Sequence, residues 1–342
     1  MSTVITILLT ILIFGIIIFI HELGHFLVAK ACGIRVNEFS MGMGPTLLKR
    51  QKGETQYSLR AFPIGGFVAM EGEEEDSEDE RAFNKKPVIK RVAVVLAGAI
   101  MNFILGVLLM AIITGAQGQI ATTRVSGFQE GSLAQQSGLQ IGDEIVKVNG
   151  HGIVSNADLR FQLSRIGAEE PINMVVKRDG QKVKLDNVEY EIVEQNGQKS
   201  RKLGIDIAVE DLGPGNFISS TIGNSVFYGK LVWASLGDLV TGKVSVSELS
   251  GPVGVAQAVG QAQSYGLLSV LSLFAFITIN VGVFNLLPFP ALDGGQFVFL
   301  MIEAIRRKPV KQEIKGYITF AGFALLMLLM VFVTVKDIFR LF

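Results

Sequence analysis

The sequence predicts a multi-pass α-helical membrane protein with about four transmembrane helices, a membrane-associated β-loop and one α+β domain outside the bilayer. Three observations predict it. Hydrophobic residues make up 49% of the 342 and charged residues only 18%, with mean hydropathy +0.44, which is too apolar for an ordinary soluble protein. Four uncharged stretches (4–29, interrupted only by a short polar motif, then 92–113, 267–287 and 318–335) are long enough to cross a bilayer. The basic residues gather in two of the connecting segments, eleven of them between Lys30 and Arg91, and Arg306, Arg307, Lys308, Lys311 and Lys315 before the last stretch. The positive-inside rule puts both segments in the cytoplasm, so both termini and the long middle segment fall outside.

The first span, 1–31, could pass for a signal peptide. It lacks a basic leader and its apolar run is long, and it leads straight into His21-Glu22-Leu23-Gly24-His25. That motif reads HExxH on a helix, which puts two imidazoles one turn apart on one face, able to share a zinc ion, with Glu22 poised to take a proton from activated water. Ionisable groups in such a segment are costly and point to function. The chain has three histidines, and the third, His151, lies in a Gly-rich turn and reads as a surface residue.

A cytoplasmic segment follows over 32–90. Within it, residues 57–70 (Tyr57 to Met70) are β-branched and aromatic with a break at Gly65-Gly66, predicting a bent hairpin or looped strand. A strand edge beside an active site can hold an extended peptide by main-chain pairing. Residues 71–80, with eight acids, read as a solvated, flexible loop. The second span, 91–115, is uncharged over 92–113, where Asn102 is the one strongly polar member.

The external segment carries Glu130-Gly-Ser-Leu-Ala-Gln-Gln-Ser-Gly-Leu-Gln-Ile-Gly-Asp-Glu-Ile-Val-Lys-Val-Asn-Gly150. It predicts a short helix over 132–137, a stop at Gly138, a Gly142-Asp143 turn and a strand over 145–148. The stretch resembles a PDZ domain, with limits of about 119–210 leaving room for a single copy. PDZ domains receive extended peptides in a strand–helix groove, although a PDZ fold kept as a bulky plug would look the same. Over 216–262, Ile222, Val226, Trp233, Leu236 and Val240 fall at helical spacing, predicting an amphipathic helix at the membrane interface or a packed linker helix. A third span over 266–292 is broken by Pro288 and Pro290. A cytoplasmic segment, 293–316, and a fourth span, 317–336, complete the chain.

Net formal charge is zero, so no field favours nucleic acid. The one cysteine, Cys32, excludes an intrachain disulfide and reads as a small apolar side chain. A catalytic zinc needs a third protein ligand, for which Glu38, Cys32 and Asp293 are candidates. Asp293 stands in Asn285-Leu-Leu-Pro-Phe-Pro-Ala-Leu-Asp-Gly-Gly295, where a broken helix at membrane depth implies an enclosed or watery cavity. A simple helix N-cap is its other reading.

HELGH in the first span, Asn-x-x-Pro-x-Pro-x-Leu-Asp-Gly-Gly after a later one and a PDZ-like segment between them resemble the site-2 protease family of intramembrane zinc metalloproteases. Within it the chain is similar to the bacterial RseP-like branch. Further matches are Phe39-Ser-Met-Gly-Met-Gly-Pro45, Pro63-Ile-Gly-Gly66, Arg81-Ala-Phe-Asn84, Leu96-Ala-Gly-Ala-Ile-Met-Asn-Phe103 and Leu249-Ser-Gly-Pro-Val-Gly254. Relatives best known from Gram-negative bacteria carry two tandem PDZ domains, and the single copy here looks more like the Gram-positive branch. The resemblance implies one Zn2+ per chain on His21, His25 and Asp293, with Glu22 catalytic and Asn285 contacting the substrate backbone. It also implies a β-loop that pairs with substrate around Ile64, Gly65, Gly66 and Phe67. Implied partners are single-pass transmembrane substrates already trimmed by another protease, such as anti-sigma factors or signal-peptide remnants, and the lipid bilayer. The implied location is the bacterial plasma membrane, with the active site towards the cytoplasm. A catalytically inactive membrane PDZ adaptor would lack a ligand or Glu22, and a metal transporter would carry polar residues along several spans.

Overall fold

A computed structural model describes residues 3–340 apart from 74, 76, 168–169, 196–197 and 246–248, with the side chains of Ile64 and 193–201 also outside the description. The chain divides into two compact units, residues 1–109 together with 232–342, and residues 110–231. Among the described residues, four helices are long and apolar enough to cross a membrane: α1 (Thr3–Ala31), α2 (Val88–Gln117), α7 (Leu267–Asn285) and α9 (Gln312–Phe339).

In the first unit, α1 is a near-unbroken run of Ile, Leu and Phe. It ends where Gly33 adopts φ +71° and the amides of Cys32, Gly33 and Ile34 fold back onto the carbonyls of Val28, Lys30 and Ala29, a left-handed cap that glycine alone takes without strain. The chain then forms β1 (Val36–Lys52) and β2 (Thr55–Met70), which pair along their whole lengths with repeated register shifts. Residues 38–41 are flanked by 66–69 on one side and 56–59 on the other, and 56–59 pair onward with 48–51. The hairpin expected over 57–70 is therefore one part of a larger bent sheet. Its missing half, β1, was disguised by Gly42, Gly44 and Pro45, which sit at the bends.

Sheet and helices share one core. Phe39, Val68, Phe83, Val94 and Leu300 are buried together with Ile34 and Val36. The Phe39 ring stands 5.2 Å from that of Phe26 on α1. Arg60 stitches the sheet internally, donating to Glu38 at 2.7 Å and to Ser40 at 3.0 Å with its guanidinium 4.9 Å from the Phe67 ring. Burial raises the Glu38 carboxyl, but hydrogen bonds from Ser58 and Arg60 outweigh it and hold the group below the usual carboxylate range. The acidic run is more tied down than its composition implies. Glu71 accepts from Asn37 at 2.8 Å and from Ser77 at 2.6 Å, and Asp79 pairs with Arg35.

A short 3-10 turn (Phe83–Lys85) leads through Pro87 into α2, the Pro87 carbonyl accepting from the amides of Lys90 and Arg91. Two further helices were not separated by the sequence pattern. The stretch 216–262 contains α5 (Pro214–Val240), which runs on from the second unit, and α6 (Pro252–Ser264). The α6 helix packs against α1 and α9, with Thr6 donating to Gln263 at 3.3 Å, whereas Ile222, Val226, Trp233 and Val240, on which the interfacial-helix reading rests, lie on α5 and are exposed. Its first amides, Gly251 and Gly254, both donate at 2.8 Å to the buried Asp337 at the end of α9. The segment after the third span is also helical, α8 (Asp293–Arg306), joined to α2 by a bidentate Arg91–Glu303 pair.

The second unit is α+β. Its strands are β3 (Gln119–Phe128), β4 (Glu144–Val148), β5 (His151–Gly152), β6 (Met174–Arg178), β7 (Gln181–Leu185), β8 (Glu191–Gln195), β9 (Gln198–Lys202) and β10 (Ile205–Asp211). The main sheet runs β10-β3-β4-β6-β7, with β5 on β4, and β8 and β9 form a separate pair. Helices α3 (Leu133–Gln136) and α4 (Asn156–Arg165) accompany it. Ser155 caps α4 by accepting from the Asp158 amide. Val125, Ile145, Leu159, Ile172 and Met174 are fully enclosed in its core. The buried Asp143 takes two 2.8 Å hydrogen bonds from Arg178. Residues around Leu159, Leu163, Leu203 and Ile205 line a groove of about 550 Å³. His151 is exposed, as its Gly-rich setting implied.

Candidate metal centre

Helix geometry alone sets His21 and His25 one turn apart on α1, and their Nε2 atoms stand 3.2 Å apart. The third donor comes from far along the chain. After α7 the segment 286–292 doubles back, with prolines at 288 and 290 denying it helix, and α8 opens at Asp293. The return is tight enough that a side chain at Gly294 would lie 2.1 Å from the Leu287 carbonyl oxygen, and one at Gly295 2.3 Å from that of Phe289. Ala291 takes φ +77°, a left-handed conformation that costs about 1–2 kcal/mol without glycine. The result brings Asp293 Oδ2 to 3.3 Å from His21 Nε2 and 3.4 Å from His25 Nε2.

These distances test whether zinc fits. Donors bonded at about 2.0–2.1 Å in tetrahedral directions lie about 3.3–3.4 Å from one another, and the three here are 3.2, 3.3 and 3.4 Å apart. Asp293 Oδ2 is buried and has no hydrogen-bond partner of acceptable geometry, although both imidazoles are within ion-pair distance. An orphaned carboxylate oxygen there is costly unless a cation meets it. The set of two imidazoles and a carboxylate also suits zinc chemically. Of the three candidates for a third ligand, Asp293 alone joins the histidines among the described residues. Glu38 is occupied by Ser58 and Arg60, and the thiol of Cys32 contacts the Lys90 carbonyl.

Helix α2 backs the pair. His25 Nδ1–H donates to the Val94 carbonyl at 2.8 Å, which leaves its Nε2 lone pair for a metal. Gly98, one turn on, has no side chain because none fits: a Cβ would lie 2.4 Å from His25 Nε2 and 2.6 Å from His21 Cε1. Asn102, another turn on, lies 3.3 Å from His21 Nδ1. Sequence reasoning missed Val94 and Gly98 as site elements. The four-residue spacing of Gly98 and Asn102 inside an apolar span was the signal available.

A cavity of about 600 Å³ joins His21, Glu22, His25 and Asp293 to residues 66–70 of β2 and to Glu71, Glu73 and Glu75. Gly66 and Phe67 line it, and a side chain at Gly66 would come within 3.0 Å of the Glu22 Cγ. Residues 66–70 pair with β1 alone, so among the described residues their other edge is free. Gly65 does not line the cavity, and the side chain of Ile64 lies outside the described residues. Asn285 is partly buried at the last turn of α7 and does not line the cavity either.

Two imidazoles and a carboxylate that could hold a metal, on and beside helices long and apolar enough to cross a membrane, fit the class of membrane metallohydrolases. Comparison with known proteins makes the class specific. The chain belongs to Peptidase family M50, the site-2 protease family, whose sequence model matches residues 9–329. It is similar to a putative zinc metalloprotease of Clostridium acetobutylicum, 40% identical over 336 residues that cover 97% of each chain. It is also similar to the regulator of sigma-W protease RasP of Bacillus subtilis, 31% identical over 419 aligned positions covering 98% of this chain and 99% of that one. A putative zinc metalloprotease of Agrobacterium fabrum is 36% identical over 356 positions, 96% of this chain and 94% of the relative. The chain is thus a zinc metalloprotease and a multi-pass membrane protein.

Proposed function

We propose that this enzyme cleaves peptide bonds within transmembrane segments of single-pass membrane proteins, using one zinc ion held by His21, His25 and Asp293 with Glu22 as the base. The observation that carries the reading is the set of three donor atoms at 3.2–3.4 Å from one another in the cavity that Glu22 shares with the free edge of β2.

Zinc, when bound, supplies the Lewis acidity that makes water nucleophilic near neutral pH and polarises the scissile carbonyl. Glu22 takes the proton of the attacking water and returns it to the leaving amine. Residues 66–70 hold the substrate. A transmembrane helix hides its carbonyls in its own hydrogen bonds, and unwinding it in lipid leaves each amide and carbonyl unmet at several kcal/mol. Pairing with the free edge around Ile64, Gly65, Gly66 and Phe67 replaces those bonds and lays the chain out extended beside Glu22. The substrate-backbone contact that the family resemblance implies for Asn285 falls beyond the lining of this cavity, at the last turn of α7.

The order and pairing of elements in 110–231 support a PDZ domain over about 119–210, and its 550 Å³ groove suits an extended peptide. The clustering of basic residues supports a plasma-membrane orientation with the metal centre towards the cytoplasm and this domain outside. The printed name of the Bacillus subtilis relative, regulator of sigma-W protease, supports a substrate tied to a sigma factor. On this reading the substrates are membrane-anchored anti-sigma factors shortened beforehand, with the outer domain excluding untrimmed ones. Removing residues 119–210 is then expected to permit cleavage of untrimmed substrates, and an unchanged need for trimming would sink the gate.

The central test is cleavage of a tagged single-span substrate by purified wild type and Glu22→Gln, with zinc measured on both. The expected result is that the variant keeps its zinc and loses activity by about 10²–10⁴-fold. Cleavage undiminished in the zinc-loaded variant would remove Glu22 from the mechanism.

A further inference from the structure

We infer that Asn102 is a positioning residue of the metal centre: its side-chain oxygen accepts the His21 Nδ1 proton and so aims the His21 Nε2 lone pair at the metal. The inference rests on His21 being a ligand, as proposed above.

Asn102 is fully buried, with 0% of its surface exposed, in the middle of a membrane-length helix where an amide needs a reason to be. Its side chain reaches one ring nitrogen, His21 Nδ1, at 3.3 Å through the atom placed as Nδ2. Its Oδ1 is buried without any partner. The two amide atoms are nearly isosteric, and which one faces a neighbour is settled by hydrogen-bond chemistry. That chemistry is decisive for a metal ligand. A neutral imidazole that binds through Nε2 carries its hydrogen on Nδ1, so an amide NH2 in front of it sets donor against donor. Turning the amide by a half rotation places Oδ1 there as acceptor and moves the NH2 to the position without a partner, so the contact to His21 Nδ1 is what decides the orientation.

The neighbouring histidine shows the same arrangement already made. His25 Nδ1–H donates to the Val94 carbonyl at 2.8 Å. Val94, Gly98 and Asn102 are four residues apart on α2 and so share one face. One outer residue on this face keys each imidazole, and a glycine between them gives both rings room. The backbone carbonyl of Val94 cannot be changed by substitution, whereas the side chain of Asn102 can. The position of Asn102 is itself fixed from α7, where Thr278 donates to its backbone carbonyl at 3.3 Å. Partners of this kind set the tautomer and orientation of ligating histidines, and losing one weakens metal binding about 10–100-fold.

The test is zinc affinity, measured by chelator competition on the full-length protein in detergent, for wild type, Asn102→Ala, Asn102→Leu, Asn102→Asp and His21→Ala. The d–d spectrum of the cobalt-substituted forms is recorded alongside. Asn102→Leu keeps the volume and Asn102→Ala removes the oxygen without adding bulk, so at least one reports even where the other packs badly. Both are expected to bind zinc about 10–100-fold more weakly with a shifted cobalt spectrum. Asn102→Asp, which retains an oxygen acceptor, is expected to restore affinity and spectrum. Unchanged affinity in Asn102→Ala beside a loss in His21→Ala overturns the inference alone. Equal loss in the Ala, Leu and Asp variants also overturns it, leaving Asn102 a packing residue. A His21→Ala protein with wild-type affinity overturns the ligand set and this inference together.

Discussion

Replacing Gly98 with alanine adds one methyl group to α2 and tests how closely that helix presses on the metal centre. The new Cβ would sit 2.4 Å from His25 Nε2, 2.6 Å from His21 Cε1 and 2.8 Å from His21 Nδ1. Ordinary contact begins near 3.4 Å, so helix and rings must separate by about 1 Å, which is 3.4 minus 2.4. Forcing a methyl into a packed site costs about 1–3 kcal/mol. The larger effect is chemical, because zinc tolerates deviations of only about 0.2 Å in its bonds and a 1 Å misplacement can lower rate about 10²-fold. Gly98→Ala should therefore lose zinc in chelator competition and lose cleavage by at least about 10²-fold. A matched control lies two turns along the same helix. A Cβ at Gly106 would come equally close, 2.4 Å, to Ile279 Cγ1 on α7 and touch no imidazole. Gly106→Ala should lose comparable thermal stability in detergent and keep its zinc. Two glycine variants with the same zinc affinity would refute the claim that α2 forms the back wall of the site.

Two further perturbations act away from the metal. Arg91→Met breaks the bidentate pair with Glu303, whose side chains are 9% and 17% exposed, and leaves a nearly buried carboxylate uncompensated. It should cost about 3 kcal/mol, with most of the loss recovered in Arg91→Met/Glu303→Gln, as thermal unfolding would show; a double variant no more stable than the single one contradicts the pairing. The Glu38 carboxyl, held below its ordinary value of 4.5 in the fold, gives a pH dependence of definite sign. Its contribution is present in full above about pH 4.5, where the unfolded chain is also ionised, and is lost as pH falls through the depressed folded value. Protection of the 36–41 amides from hydrogen exchange should drop in that acidic window in wild type and lose this dependence in Glu38→Gln. Identical profiles for the two proteins would show that Glu38 does not anchor the sheet.

The parts of this molecule that were legible in sequence are those whose physics is local or repetitive. A helix long enough to cross a bilayer shows itself in composition, and α1, α2, α7 and α9 fall on the four apolar stretches. HELGH shows itself because a 3.6-residue period places two imidazoles on one face whatever surrounds them. The β1 half of the sheet was hidden because its regularity is broken by the glycines that let it bend, and a strand paired on two sides with repeated register shifts leaves no simple alternation. Helix α8 was half visible, since the N-cap reading of Asp293 implied a helix start there, but the proline-rich return before it and the charges around it hid its length. The back wall was hidden most completely. Val94 acts through a carbonyl that every residue possesses, and Gly98 acts by what it lacks, so the four-residue spacing of Gly98 and Asn102 marks the face without telling what it does. What identifies them is a relation across 69 residues, from His25 to Val94, that exists only once two apolar helices have packed. The two imidazoles one turn apart could be read from a five-letter motif, whereas the contacts to their far nitrogens come from a helix whose sequence there is almost wholly apolar. A metal site of this kind is thus specified twice: by the residues that touch the ion, and by a face of packing that decides which lone pairs those residues can offer.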